Sequence, residues 1–233
     1  MKMFVGFMLS LFVASFAAAE SAPPPPQSEW TYLQVWLGAL GTDESWEVTD
    51  PTTGDSAVGD IGTLPFGGGA GQQMWGSGRW QIGYEGGALV TWKNDSTEFR
   101  GSNNSLRVKI DNTFWSFGVF MGGVVSFDPI RNLRLYVAAG PSVTWAWLDD
   151  DEDDDDEPTP PPPPGNNFVI DLDDGSNDVS VVAYARAGAE IILDDGFSFG
   201  VSVRYADDEF DFDEAGELEL DEPLWLLTLG ARL

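Results

Sequence analysis

Hydrophobic and polar residues alternate along most of this chain after Trp30, with the period of two that is typical of β-strands. The clearest alternation runs from Leu133 to Trp147, where odd positions are mostly apolar and even positions are mostly small or polar. The pattern recurs elsewhere and predicts seven strands, at residues 31–39, 79–92, 115–127, 133–147, 181–193, 197–205 and 225–233.

An eighth strand is expected between Ile61 and Trp75, because a closed antiparallel barrel of this type has an even number of strands. The apolar residues of this segment share one parity; they are Leu64, Phe66, Ala70 and Met74. The run Gly67-Gly68-Gly69 interrupts the pattern, since glycine weakens the interior of a strand. Pro141 lacks an N–H for the ladder, and we therefore expect a β-bulge beside it.

The connections between the predicted strands alternate between short and long, so that all the long ones fall at one end of the strands. Short turns are expected at 75–78, 128–132 and 194–196, and long loops at 42–60, 93–113, 149–178 and 207–222. Short turns at one rim and long loops at the other are typical of transmembrane barrels. The sequence therefore predicts an all-β protein, an eight-stranded antiparallel up-and-down transmembrane β-barrel.

Aromatic residues at both ends of the apolar face indicate that this face points outward, toward lipid. A girdle beside the long loops is expected from Trp92, Trp115, Trp145, Trp147, Tyr205 and Trp225, and one at the turn end from Trp80, Phe127 and Phe197. Aromatic rings favour the boundary between lipid and water. A soluble β-sandwich or a lipocalin-like barrel also fits the alternation, but neither explains six aromatic residues at one rim.

The opposite face of the strands carries charge. A charged side chain facing lipid at mid-depth would cost about 2–4 kcal/mol, so these residues are expected to face the lumen. The predicted lumen network consists of Arg79, Glu85, Arg134, Arg186, Glu190, Arg204 and Arg232. Glu190 is expected opposite residues 198–200, with Arg134 or Arg232 as its partner, and Glu85 needs an arginine from across the lumen.

The N-terminal segment has the pattern of a secretory signal. Lys2 precedes an apolar run that ends at Phe16, and Ala17-Ala18-Ala19 supplies a small-residue cleavage site. We expect residues 1–19 to be a signal peptide, residues 20–29 a proline-rich periplasmic spacer, and residues 30–233 the barrel. The apolar run is too short for a transmembrane helix, and no later segment is long enough.

Charge and composition restrict the chemistry. The formal net charge is −28, from 39 acidic and 11 basic residues, which disfavours nucleic acid as a partner. Three of the long loops, 42–60, 149–178 and 207–222, hold 29 of the 39 acidic residues and no basic residue. The chain has no cysteine and no histidine, so thiolate and imidazole ligands and the commonest general base are absent. No cofactor is expected.

Residues 149–157 form a run of nine consecutive acids. Carboxylate oxygens suit Ca²⁺ or Mg²⁺, and the weak candidate ligands are Asp149, Asp151, Asp153 and Asp155. The alternative is a self-repelling loop tip beside a stiff proline spacer. The spacing matches no EF-hand.

Three segments resemble small opacity-type and OmpA-like outer-membrane barrels. Residues 79–86 look like their third strand, residues 186–205 like their sixth and seventh strands, and residues 229–233 like their C-terminal insertion signal, which usually ends in Phe and here ends in Leu233. The resemblance implies an outer-membrane location and recognition of the C-terminal strand by the barrel assembly machinery. Such families include adhesins, small porins and structural anchors.

Two functions remain open from the sequence. One is a non-enzymatic structural or surface-interaction protein, and the other is a narrow porin-like channel. Enzymes with this kind of barrel resemble one another in depending on a histidine, which this chain lacks, so we expect no enzyme. The expected partners are outer-membrane lipid, lipopolysaccharide and divalent cations.

Overall fold

The computed structural model describes residues 28–42, 46–49, 56–60, 62–101, 107–150, 176–212 and 216–233. The expected signal peptide, nearly all of the spacer and most of the 149–157 acidic run lie outside these residues. The described part contains twelve strands: β1 (Ser28–Leu40), β2 (Trp46–Thr49), β3 (Ser56–Asp60), β4 (Leu64–Ser77), β5 (Trp80–Gly101), β6 (Arg107–Ile130), β7 (Leu133–Asp150), β8 (Ser176–Ile192), β9 (Phe197–Ala206), β10 (Asp208–Asp211), β11 (Glu217–Leu220) and β12 (Leu224–Arg232).

Eight of these strands close into an antiparallel barrel, as the sequence predicted. Their order around the wall is β1-β4-β5-β6-β7-β8-β9-β12, and β12 pairs back with β1. The eighth strand expected between Ile61 and Trp75 is β4, which pairs with β1 and β5. No described helix is long and apolar enough to cross a membrane.

The other four strands extend the wall on the side of the long connections. The β2–β3 hairpin lies within the predicted loop 42–60, and the β10–β11 hairpin lies within the predicted loop 207–222. They join the upper part of β5 through pairings of β11 with β2 and of β3 with β5. Large parts of both predicted loops are therefore strands.

The expectation of a loop over residues 93–113 is also wrong. Strands β5 and β6 stay paired from Trp92↔Trp115 up to Arg100↔Arg107. Val108 and Ile110 continue the alternation in the sequence, but the polar residues around them made the segment look like a loop.

Two details of the register differ from expectation. The register between β6 and β7 is the same on both sides of Pro141, so the bulge expected there is wrong; a register shift lies instead between Phe127 and Ile130. The apolar parity of β4 points into the barrel, because Leu64 and Met74 are fully buried.

Candidate functional site in the barrel lumen

A buried carboxylate on β5 forms the centre of a polar layer in the half of the lumen nearer the short turns. Glu85 is 1% exposed and pairs with Arg186 from β8 on the far wall, whose Nη2 donates to Oε2. The Tyr184 hydroxyl donates to Oε1 at 2.9 Å, and Gln72 Nε2 donates to Oε2 at 2.9 Å. Glu85 thus has the cross-lumen arginine that its buried charge requires.

A second buried carboxylate lies on β8. Glu190 is 1% exposed and accepts hydrogen bonds from the Tyr32 hydroxyl at 2.7 Å and from Gln34 Nε2 at 2.5 Å. Ser198 Oγ lies 3.4 Å from the same carboxylate, and Arg134 Nη1 lies 4.0 Å away. Glu190 is opposite Gly200 in the β8–β9 register and opposite Arg134 in the β7–β8 register. Of the two arginines considered from the sequence, Arg134 is the one beside it.

Gln34 on β1 connects the two carboxylates into one network. Its Nε2 donates to Glu190, and its Oε1 accepts from Arg186 Nη2 at 2.9 Å. Gln72 Nε2, which also binds Glu85, lies 3.3 Å from Gln34 Oε1. A continuous chain of hydrogen bonds therefore crosses the lumen from β8 through β1 to β4 and β5.

Aromatic rings hold the arginines of the network in place. The Arg186 guanidinium lies between the rings of Trp36 and Tyr136, with its Cζ 4.4 Å and 4.9 Å from the two centroids. Arg134 Cζ lies 4.6 Å from the centroid of Tyr32. Cation–π contacts of this kind strengthen when the site excludes water.

Two tyrosines of the network lie directly over glycines of a neighbouring strand. A Cβ atom on Gly188 would lie 2.5 Å from Cζ of Tyr136, and one on Gly230 would lie 2.5 Å from Cζ of Tyr32. Any side chain at these glycines would displace the rings. The tyrosines, glutamines and glycines were not identified as site residues from the sequence, although their inward parity is a usable signal.

An apolar layer lies above the polar network, toward the extracellular end. Trp36 stacks on Phe120 with centroids 5.7 Å apart, and Phe120 meets Tyr184 edge-on at 5.0 Å. Arg204 lies beside this layer, where its Nη2 donates to Ser142 Oγ at 2.9 Å. Arg204 therefore lies in the lumen, as predicted, but above the layer that contains Glu85 and Glu190.

The same apolar core continues beyond the membrane, inside the extension formed by the short strands. Trp46 and Val48 from β2 and Phe210, Phe212 and Leu218 from the β10–β11 hairpin are buried in one cluster with the upper lumen residues. This extension consists of β2, β3, β10 and β11 and is called the extracellular sheet below. It closes the upper end of the barrel core.

The outer face of this sheet carries a ladder of opposed acids. Glu209 lies opposite Glu219, Asp211 opposite Glu217, and Glu217 opposite Glu47. Like charges placed opposite one another destabilise a sheet. Desolvation, followed by the charge of Glu209, raises the pKa of the Glu217 carboxyl.

Replacing Glu217 with glutamine is expected to increase hydrogen-exchange protection of the β10–β11 amides at neutral pH. The folded pKa of Glu217 is raised, so its destabilising effect appears as the pH rises above the ordinary value of 4.5. The variant and the parent are therefore expected to converge at lower pH. Asp221→Asn, which removes an exposed acid outside the ladder, is the control; an equal gain there would mean that only net charge matters.

The girdle residues predicted from the sequence all lie on the outside of the barrel. Trp92, Trp115, Trp145, Trp147, Tyr205 and Trp225 are exposed. Trp92 and Trp115 are neighbours with ring centroids 6.0 Å apart, and Trp80 and Phe127 pair at the turn end at 4.6 Å.

Two arginines assigned to the lumen by parity lie at the periplasmic rim instead. Arg79 occupies the turn between β4 and β5, and Arg232 ends β12; both are exposed. Together with Arg131 they line a hollow of about 430 Å³ at the periplasmic mouth. An adjoining hollow of about 410 Å³ reaches Tyr32 and Arg134 from the same side.

The four weak metal candidates stay a prediction. The side chains of Asp149, Asp151, Asp153 and Asp155 lie outside the part of the chain whose side chains are described. Among the described residues, no group of three or more acids is arranged to hold a metal ion.

The comparison with protein families decides what this barrel is. The family model of the outer membrane protein beta-barrel domain matches residues 8–232. The chain belongs to this family. The resemblance noted from the sequence is thereby confirmed, and the protein resides in the outer membrane of a Gram-negative bacterium.

The chain is also similar to solved structures at low sequence identity. The outer membrane protein OprG from Pseudomonas aeruginosa is 10% identical with a TM-score of 0.56, covering 89% of this chain and 97% of that one. The attachment invasion locus protein Ail of Yersinia pestis is 13% identical with a TM-score of 0.46, covering 88% and 98%. Neisserial surface protein A is 12% identical with a TM-score of 0.44, covering 90% and 99%.

At 10% identity, the likeness to OprG supports a shared fold and carries no information about function. No curated protein sequence was found to match the chain.

Proposed function

We propose that the protein is a non-enzymatic outer-membrane barrel with a closed lumen, which acts through its acidic extracellular surface as a structural or surface-interaction protein. The observation that carries this proposal is the filling of the lumen by two successive layers. The Glu85–Arg186 network lies below, and the Trp36–Phe120 layer lies above it. An eight-stranded barrel has an interior just wide enough for its own side chains.

Conductance of the purified protein in a planar lipid bilayer tests this proposal. We expect no single-channel events above those of a protein-free bilayer, because both layers must move before ions can pass. Regular unitary openings of the unmodified protein would favour the second candidate, a narrow channel. The water-accessible hollow that reaches Arg134 from the periplasm is the observation that favours a channel.

The extracellular surface supports a proposal about partners. The exposed acids Glu47, Glu209, Asp211, Glu217 and Glu219 lie on one face of the extracellular sheet. Lipopolysaccharide is itself anionic, so divalent cations would reduce the repulsion between the two. We expect weak Ca²⁺ binding, with a dissociation constant on the order of 10⁻⁴–10⁻³ M. Calorimetric titration tests this, and equal heats from a variant with neutralised loops would contradict it.

A further inference from the structure

One hollow at the periplasmic mouth is lined mainly by arginines, in a protein that is otherwise strongly acidic. Arg79, Arg131 and Arg232 line the hollow of about 430 Å³ between the β4–β5 turn, the β6–β7 turn and the end of β12. One carboxylate, Asp128, lies in the same lining. The hollow therefore has an excess of positive charge.

The two acids described beside this hollow are either exposed to solvent or shared with other side chains. Arg131 lies 3.7 Å from Asp194, but the two side chains are 89% and 87% exposed, and such pairs are weak. Asp128 is shared: Gln81 Nε2 donates to it at 3.0 Å, and Arg134 Nε lies 3.7 Å from its other oxygen. Arg232 also acts on Asp128 electrostatically, so this single carboxylate is shared between two arginines.

An exposed apolar wall adjoins the hollow. Ile130 is part of its lining and is 64% exposed, and Trp80, 45% exposed, is paired with Phe127 on the lipid-facing side of the same two strands. The register shift between Phe127 and Ile130 ends the regular alternation at this point. Trp80 and Phe127 belong to the turn-end girdle, which places the hollow at the level of the inner-leaflet headgroups.

We propose that this hollow binds the headgroup phosphate of an anionic phospholipid of the inner leaflet. Guanidinium groups match phosphate oxygens in a bidentate geometry, and three arginines line this hollow. The acyl chains of the bound lipid would lie along Trp80, Phe127 and Ile130. An isolated phosphate ion would use the arginines but not this apolar wall.

Lipid selectivity of the purified full-length barrel tests the proposal. The protein is equilibrated in mixed micelles with equal amounts of phosphatidylglycerol and phosphatidylcholine, and the lipid that remains bound is quantified. We expect the parent to be enriched in phosphatidylglycerol. In Arg79→Gln/Arg131→Gln we expect this enrichment to fall about thirtyfold, because each arginine near an anionic lipid contributes independently to the binding free energy.

The control is Arg100→Gln/Arg107→Gln, which removes the same charge from the opposite end of the barrel, where these residues face each other in register. We expect it to retain the enrichment of the parent. An equal loss in both double variants would overturn the proposal, because it would reflect net charge alone. Displacement of phosphatidylglycerol by an equal concentration of inorganic phosphate would also overturn it, in favour of a free-phosphate site. Arg79 and Arg131 are exposed turn residues, and equal urea midpoints of the two double variants and the parent would verify that folding is unaffected.

Discussion

Replacing Glu85 with alanine is expected to lower the free energy of unfolding of the barrel by about 3–5 kcal/mol. The substitution leaves the Arg186 guanidinium buried between Trp36 and Tyr136 without its carboxylate. A buried charge that loses its partner retains its full desolvation cost. Urea unfolding of the barrel in lipid vesicles measures the change as a lower midpoint, and recording of the same variant in a planar bilayer tests for newly opened conductance.

The matching double variant separates the ion pair from simple packing. Glu85→Met/Arg186→Met removes both charges, and buried pairs replaced by apolar residues of similar size are often close to neutral. We expect it to be more stable than Glu85→Ala. If the double variant is the less stable of the two, the pair is not the reason for the loss.

Glu190→Ala is expected to have a smaller effect than Glu85→Ala. Its arginine, Arg134, is 4.0 Å away and also lies 3.7 Å from Asp128, so it keeps a carboxylate when Glu190 is removed. Parent-like stability and conductance in both single variants would contradict the closed lumen; the charges would then be solvated pore lining.

Trp46→Ala is expected to destabilise the extracellular sheet by about 3–5 kcal/mol, as is usual when a large buried aromatic residue is truncated. Trp46 from β2 is fully buried in the same cluster as Phe210 and Leu218 from the β10–β11 hairpin. The membrane-spanning strands have their own hydrogen-bonded ladders and are expected to persist. Limited proteolysis is therefore expected to cut β2–β3 and β10–β11 rapidly while the remaining barrel stays folded.

Glu47→Ala is the matched control for this prediction. Glu47 is adjacent on the same strand but points outward and faces Glu217. Its removal is expected to leave proteolysis of the sheet unchanged or slower. Rapid cleavage of both variants would show that the hairpin is sensitive to any change, and that the buried ring is not what holds it.

The sequence predicts the transmembrane part well because a strand has only two faces. Once a period of two is recognised, the position of Glu85 or Trp145 on a face follows from its parity, and short turns fix which strands are neighbours. Parity loses its meaning where strands end. Arg79 and Arg232 have inward parity but lie in a turn and at a strand terminus, which explains why they are at the rim.

The extracellular sheet was missed for a different reason. Glu217-Leu218-Glu219-Leu220 alternates as well as any membrane strand, but its acids made it look like part of a loop. This segment forms a strand by pairing with Trp46 and Glu47, which lie about 170 positions earlier in the chain. No local sequence pattern encodes a pairing over such a distance. The same applies to Gln34, whose role depends on meeting Arg186 across the lumen.

The pairing of β11 with β2 also determines how another molecule would recognise the cell-surface end of the protein. The outer face of the extracellular sheet is assembled from two connections that are far apart in the chain. An antibody raised against this face would bind a discontinuous epitope, which a synthetic peptide from either connection alone could not reproduce. A deletion in residues 46–60 would likewise abolish recognition of residues 208–220 without altering a single residue there.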